Sequence, residues 1–280
     1  MSDASKRAEK SYLQRSGSAR WERAKPFAPP GDDAIEEGGR LIQDFAAALL
    51  CLRPRPGDLV LDLGAGSGWV SEWLQRFNLR TVSVDIALDM LRLARGRLAD
   101  GRSLVAADLE CLPFTDAAVD FAVCFNAFHH LPNGPAALAE VHRVLKPGGR
   151  ALFSEPGRDH ASAITSRTAV ESYGVLEQDV DASALLAACR TAGFAHVVVK
   201  PVAHVVPWFE LDEARWRQWE RLAGTRRPRR AARKIWHAIL EGLGLAKSGA
   251  NFEDALGMEL VRIIGGAVAD HPIVVATKAG

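Results

Sequence analysis

From Ala34 to Leu52 the apolar residues Ile35, Leu41, Ile42, Phe45, Leu49 and Leu50 recur at helical spacing, which predicts a helix buried along one side. Arg53-Pro54-Arg55-Pro56-Gly57-Asp58 stops it and turns the chain. The short apolar run Leu59 to Leu63 reads as a strand, and Trp69, Val70, Trp73 and Leu74 as one face of the next helix. Gly64-Ala65-Gly66-Ser67-Gly68 is the tight turn between them. A second strand, Arg80 to Val84, ends at Asp85 and completes a βαβ unit. Helix Leu88 to Leu98, strand Ser103 to Ala107 and strand Phe121 to Phe125 follow. Next come helix Ala136 to Leu145, the turn Lys146-Pro147-Gly148-Gly149 and strand Arg150 to Ser154. An Asp-capped helix, Asp181 to Ala192, is stopped by Gly193, and strands His196 to Lys200 and Pro272 to Ala276 close the pattern.

Two stretches fall outside this alternation. The residues between the last two strands, 207–270, are far more than a hairpin requires. Trp216, Trp219 and Ala223 form one stripe there, Ile235, Trp236, Ile239 and Leu240 another, and Phe252, Leu256, Leu260 and Ile263 a third. They predict a small helical cap over the substrate side. Residues 1–33 are polar, with Tyr12, Leu13, Trp21 and Phe27 as their few anchors; 1–10 reads as a mobile tail, and the anchors predict that the rest folds back. The main domain is then 34–206 with 271–280.

The glycine turn carries the chemistry. Glycines allow the unusual backbone angles of a direct strand-to-helix turn and let a ligand lie against the main chain, facing the unpaired N–H groups of the helix start. A dinucleotide fingerprint needs a further glycine at Trp69 or Ser71, and no Gly-Lys-Ser/Thr follows, so neither that fingerprint nor a P-loop is present. Acid, any residue, then Gly-x-Gly-x-Gly, as Asp62 to Gly68 spells it, resembles the class I S-adenosylmethionine-dependent methyltransferases. The run from Phe121 through Asn126-Ala127-Phe128-His129-His130-Leu131-Pro132 to Lys146-Pro147-Gly148-Gly149 resembles the subgroup that includes the quinone C-methyltransferases.

The resemblance implies a Rossmann-like α/β sheet of seven strands, mostly parallel with the last antiparallel, an N-terminal lid over the cofactor and a helical insertion between strands six and seven. It implies S-adenosylmethionine as cofactor, with its methionine end held by Asp62, Gly64, Gly66 and Gly68. Asp85 would take both ribose hydroxyls, or cap the helix near Leu88. Asp108 and the Leu109 N–H would meet the adenine, although a simple turn aspartate remains the competing reading. Asn126 joins the same set. Among candidate catalytic groups, His129 lies at a strand's carboxyl end, where open α/β sheets bind ligands. The favoured alternative is that the His129-His130 pair caps and packs the following helix. Glu155 and His160 follow the fifth strand and should face the crevice, Glu155 as a base for a hydroxyl or as a cap.

Net charge is +1 with 25% charged residues, so the whole-chain field does not argue for nucleic acid. Arg226, Arg227, Arg229, Arg230, Arg233 and Lys234 form a local basic cluster; a solvated helix start comes first, a partner for phosphate on the acceptor second, and nucleic acid third. Cys51, Cys111, Cys124 and Cys189 show no metal-like spacing, no metal site is expected, and Cys111 and Cys124 near apolar segments read as reduced thiols of a cytoplasmic protein. No secretory signal or membrane span is expected. The functional expectation is methyl transfer to a small molecule, a hydroxyl of a sugar or other metabolite ahead of a quinone-like ring carbon. A non-catalytic cofactor-binding regulator or partner subunit stays open, and RNA methylation ranks below both.

Overall fold

The computed structural model describes residues 2–27, 31, 34–98, 103–200, 266 and 269–280. The chain divides into two compact units, Met1–Ala203 with Val268–Gly280, and His204–Ala267. The helical cap expected over 207–270, its three stripes and the Arg226 to Lys234 cluster lie outside the described residues, apart from Gly266 and the two residues before the last loop, 269 and 270.

Three helices open the chain: α1 (Ser2–Ser16), α2 (Ala19–Ala24) and α3 (Ala34–Leu52). Then β1 (Leu59–Leu63), α4 (Trp69–Arg76), β2 (Arg80–Asp85), α5 (Leu88–Arg95), β3 (Leu104–Ala106) and β4 (Val119–Phe125) alternate. A single 3-10 turn, Phe128–His130, leads to α6 (Gly134–Val144) and β5 (Leu145–Ser154). The described chain ends with α7 (Ile164–Tyr173), α8 (Ala182–Thr191), β6 (His196–Val199) and β7 (Ile273–Thr277).

The strands form one sheet in the order β3-β2-β1-β4-β5-β7-β6. The first five pair in parallel, and β7 runs antiparallel to both β5 and β6. Side chains alternate across a strand, so a sheet covered on both faces must be apolar at nearly every position. On one face Val60, Phe121, Val123, Leu152 and Val275 pack on α3 and α4 through Phe45, Trp69 and Leu74. On the other, Leu61, Ala122, Cys124, Phe153 and Val274 pack on α6 and α8 through Leu138, Val141 and Leu185. Order reverses between β1 and β4, whose carboxyl ends open a crevice of the kind that α/β sheets use for ligands.

Several expectations change. Residues 2–10, expected as a mobile tail, belong to helix α1, where Ala8 is buried and Lys6 pairs with Asp108 and Glu110; the anchors behind them fold back as expected, Leu13 buried, Tyr12 edge-on to Tyr173 at 5.3 Å, and Arg15 donating to the Ser172 and Tyr173 carbonyls at 2.7 Å. The polar sequence of 2–10 hid that helical start because ionic and hydrogen-bond contacts fix it with little apolar burial. Strand β5 begins at Leu145, so Lys146-Pro147-Gly148-Gly149 belongs to it and makes a register shift against β4 between Val119 and Phe121. Helix α7 has no apolar stripe, buries only Ser166 and Ala169, and was not anticipated. Cys124 and Cys189 are buried, whereas Cys111 is exposed. Among the described residues no helix is long and apolar enough to cross a membrane.

Candidate functional site

The glycine turn takes left-handed angles, with φ of 65° at Gly64, 52° at Gly66 and 76° at Gly68. Two of the three are also forced by packing: a Cβ would stand 2.3 Å from the Ala127 Cβ at Gly64 and 2.8 Å from the Ala94 Cβ at Gly68. Gly66 differs. A Cβ there would find only Glu22 Oε2, at 3.9 Å, so that position keeps the main chain open to an approaching group.

Asp62 is turned inward, where Oδ2 accepts from the Ser71 N–H (3.1 Å) and hydroxyl (2.7 Å), and Ser83 continues the chain of bonds. Burial pushes its pKa up to about 7 against those bonds. Its visible task is to tie β1 to the start of α4. Asp85 accepts from Gly66 N at 2.8 Å through Oδ2 and from Ala87 N at 2.8 Å through Oδ1. Burial raises it to about 6, the two N–H groups holding it down. It braces the glycine turn and the entry to α5 together, and Ala87 itself is the residue at the N-cap of that helix.

Asp108 accepts from Glu110 N and is paired with Lys6 of α1 at 2.7 Å. Leu109 is buried in the core, and Asn126, at φ 49°, donates its N–H to the Ser154 carbonyl. Beyond the carboxyl ends of β2 and β3 lies a cavity of about 600 Å³, where Lys6 and Lys10 of α1 face Ile86, Ala107 and Asp108. Its size suits a small ligand or cofactor.

At the ends of β4 and β5 the acids and imidazoles converge. Glu155 is fully buried and saturated: Oε1 accepts from Ala127 N and Phe128 N, Oε2 from His129 N and from His129 Nδ1 at 2.8 Å. The expectation that Glu155 points into the crevice is thereby corrected; its carboxylate holds the 127–129 turn from beneath. His129 Nε2 stands 3.5 Å from Glu177 Oε2, and His160 Nε2 shares the same oxygen at 2.7 Å. Burial opposes charge on His129, but the bonds to Glu155 and then Glu177 outweigh it and bring its pKa to about 9. Burial likewise favours neutral Glu177, yet His129 and His160 hold it well below the usual carboxylate range. His130 bonds the Leu176 carbonyl at 2.6 Å, and burial together with the His129 charge lowers it to about 4. Neither histidine caps α6; Asn133 does, accepting from Ala136 N. His129, His160 and Glu177 have donor atoms within 4.8 Å of one another, as a metal site would need, but the 2.7 Å separation is that of two groups sharing a proton.

Comparison with known proteins gives this arrangement a family. The family described as "Methyltransferase domain" matches residues 61–153. The ubiquinone/menaquinone biosynthesis C-methyltransferase UbiE of Acidiphilium cryptum is 33% identical over 171 residues, which is 51% of this chain and 69% of that protein. This chain belongs to the class I S-adenosylmethionine-dependent methyltransferases. The malonyl-[acyl-carrier protein] O-methyltransferase of Serratia marcescens is 41% identical over 43% of this chain and 48% of its own length. The chain spans 22%, 48% and 43% of the first curated relatives it matches. Among solved structures, the [4+2]-cyclase SpnF has a TM-score of 0.58 at 18% identity, covering 99% of this chain and 96% of that one, a likeness of fold.

S-adenosylmethionine is the cofactor of this methyltransferase family, and the described residues fit it. Gly66 leaves room for close approach, while Ser67 Oγ and Glu22 Oε2 beside it are buried without a hydrogen-bond partner. Asp62, Asp85 and Asp108 stand at the carboxyl ends of β1, β2 and β3, where the motif placed them. Sequence reasoning missed Glu22 and Glu177. Nothing in their neighbourhoods signals a site, although Glu22 directly follows Trp21, one of the few anchors in the N-terminal segment.

Proposed function

We propose that the protein transfers the methyl group of S-adenosylmethionine to an oxygen of a small-molecule acceptor, a hydroxyl of a sugar or comparable metabolite. The supporting observation is the chain of partners Glu155, His129, Glu177 and His160 at the crevice. The bound cofactor supplies a methyl group activated by its sulfonium. A hydroxyl is a poor nucleophile until it sheds its proton, and a carboxylate-backed imidazole can take it.

His160 is the base in this reading. It is more exposed than His129, and with Nε2–H directed at Glu177 its Nδ1 carries the lone pair. That nitrogen would take the acceptor's hydroxyl proton, leaving the oxygen free to accept the methyl group that the bound cofactor would supply. His129 holds its own proton too tightly to act near neutrality, so it fixes Glu177, and Glu155 fixes His129. These three are positioning residues. Asp85, Gly64, Gly66 and Gly68 shape the cofactor's seat, with Asp62 behind them; Asp108, Leu109 and Asn126 complete it. Helix α1 is the lid in this reading, latched by Lys6 on Asp108 and Glu110.

C-methylation of a quinol-like ring is the second reading, favoured by the relative of which this chain covers 69%. Such a ring also loses a hydroxyl proton before it attacks, so the same base serves. Full-length protein incubated with methyl-labelled cofactor and panels of sugars, other hydroxylated metabolites and demethylated quinols separates the two. Label on oxygen supports the first reading and label on ring carbon the second. Tight cofactor binding with no transfer to either panel overturns both.

A further inference from the structure

The opening at Gly66 is not empty of chemistry. Glu22 reaches it from α2 with only 4% of its surface exposed. Its Oε1 is paired with Lys25 Nζ at 2.7 Å, and that ammonium lies 4.1 Å from the centre of the Trp21 ring. Its Oε2 is buried and accepts no hydrogen bond. A charged oxygen shut away from water without a donor is costly, so the arrangement makes sense when a donor arrives. Asp85 stands on the same side, with Oδ2 on Gly66 N, and Glu22 is close enough for its charge to favour the neutral form of Asp85. Two carboxylates thus converge on one glycine; the Lys25 charge acts on both, and Arg97 lies near enough for its charge to be felt at Glu22, yet neither cation donates to Oε2. What Oε2 lacks is an N–H donor.

We propose that Glu22 Oε2 accepts a hydrogen bond from the α-ammonium at the amino-acid end of bound S-adenosylmethionine, so that the N-terminal segment contributes a cofactor contact of its own. An ammonium offers a compact positive charge and three donors, which answers the unpaired oxygen of a carboxylate. Because Glu22 lies on α2 and Gly66 on the turn between β1 and α4, the contact joins the N-terminal segment to the cofactor, and each favours the other's binding. The inference rests on the family's cofactor and is independent of the acceptor.

Two ligands that share the adenosine but differ at the amino-acid end test it. S-adenosylhomocysteine carries the α-ammonium, and 5′-methylthioadenosine lacks it. Calorimetric titration of the full chain and of Glu22→Gln should show the variant binding S-adenosylhomocysteine about ten- to a hundredfold more weakly. Its affinity for 5′-methylthioadenosine should be unchanged. Glu22→Asp, which keeps the charge one methylene short, should fall between them and carries the test if the Gln chain does not fold. Wild-type binding of S-adenosylhomocysteine with no loss in either variant, or equal loss for both ligands, overturns the role of Glu22 alone. A wild-type chain that binds neither ligand overturns the cofactor assignment and this contact with it.

Discussion

His129 and Glu155 form a buried ion pair, Nδ1 to Oε2 at 2.8 Å, with 4% of the imidazole and none of the carboxylate side chain exposed. The pair joins the turn after β4 to the end of β5, and through it the site is coupled to the stability of the sheet. Glu155→Gln should therefore be a folding variant before it is a catalytic one. It places an amide NH₂ against N–H groups that need an acceptor and leaves His129 with one carboxylate. Breaking such a pair costs about 3–5 kcal/mol. A large fall in denaturant midpoint, with activity lost in proportion to unfolded protein, is the expected result; full stability with selective loss of turnover would instead put Glu155 in the chemistry.

The same pair sets a pH dependence. His129 has a pKa of about 9 against 6.5 for an ordinary imidazole, so its contribution is complete below about pH 6.5 and is lost as the pH rises through about 9. Glu155 and Glu177 are depressed, and what they contribute is present above about 4.5 and is lost on acidification. Asp62, Asp85 and Glu9 are pushed up by burial and also favour the lower pH. Melting temperature should fall between pH 6.5 and 9, and His129→Gln should melt lower at pH 6 with a shallower fall thereafter. An equal slope in both proteins would assign the alkaline loss to the other groups.

Gly64→Ala should be severely destabilising for two separable reasons. The new methyl would meet Ala127 Cβ, an overpacking cost of about 1–3 kcal/mol, and φ of 65° disfavours any side chain by roughly 1–2 kcal/mol. Adding Ala127→Gly should recover the first part and leave the second. Chemical denaturation of both variants measures each share, and no recovery in the double variant would mean that backbone strain alone is at work.

Asp85→Ala removes the acceptor for both Gly66 N and Ala87 N. Charge-assisted bonds of this kind are worth about 1.5–3 kcal/mol. The variant should lose stability and, if the glycine turn is the cofactor's seat as proposed, bind S-adenosylmethionine about tenfold or more weakly, because that turn is no longer held. Calorimetry alongside thermal melting checks it: cofactor affinity unchanged in a folded variant would leave Asp85 as a brace only.

His160→Asn tests the proposed base. It keeps a polar side chain near Glu177 but has no basic nitrogen, so hydroxyl methylation should drop by about 100-fold or more while cofactor affinity holds. Turnover measured beside calorimetry checks it: full turnover in the folded variant would remove His160 from the chemistry.

The chain's alternation of strands and helices was legible because periodicity is a local property. Val60, Phe121, Val123 and Leu152 against Leu61, Ala122 and Phe153 spell the two faces of the sheet, and the glycines at 64, 66 and 68 spell the turn, since φ above zero excludes most side chains. Those patterns also placed Asp62, Asp85 and Asp108 at strand ends. Only the tertiary structure decided what these groups touch. Glu155 meets His129 across 26 positions of sequence and His160 meets Glu177 across 17, and no period encodes such pairings. The first turns of the polar helix α1, held by the Lys6 ion pairs, and the unpaired oxygen of Glu22 beside Gly66 were equally silent in the sequence. Burial repeats along the chain and can be read from it; the partner of a buried charge is fixed by the folding of distant segments onto each other.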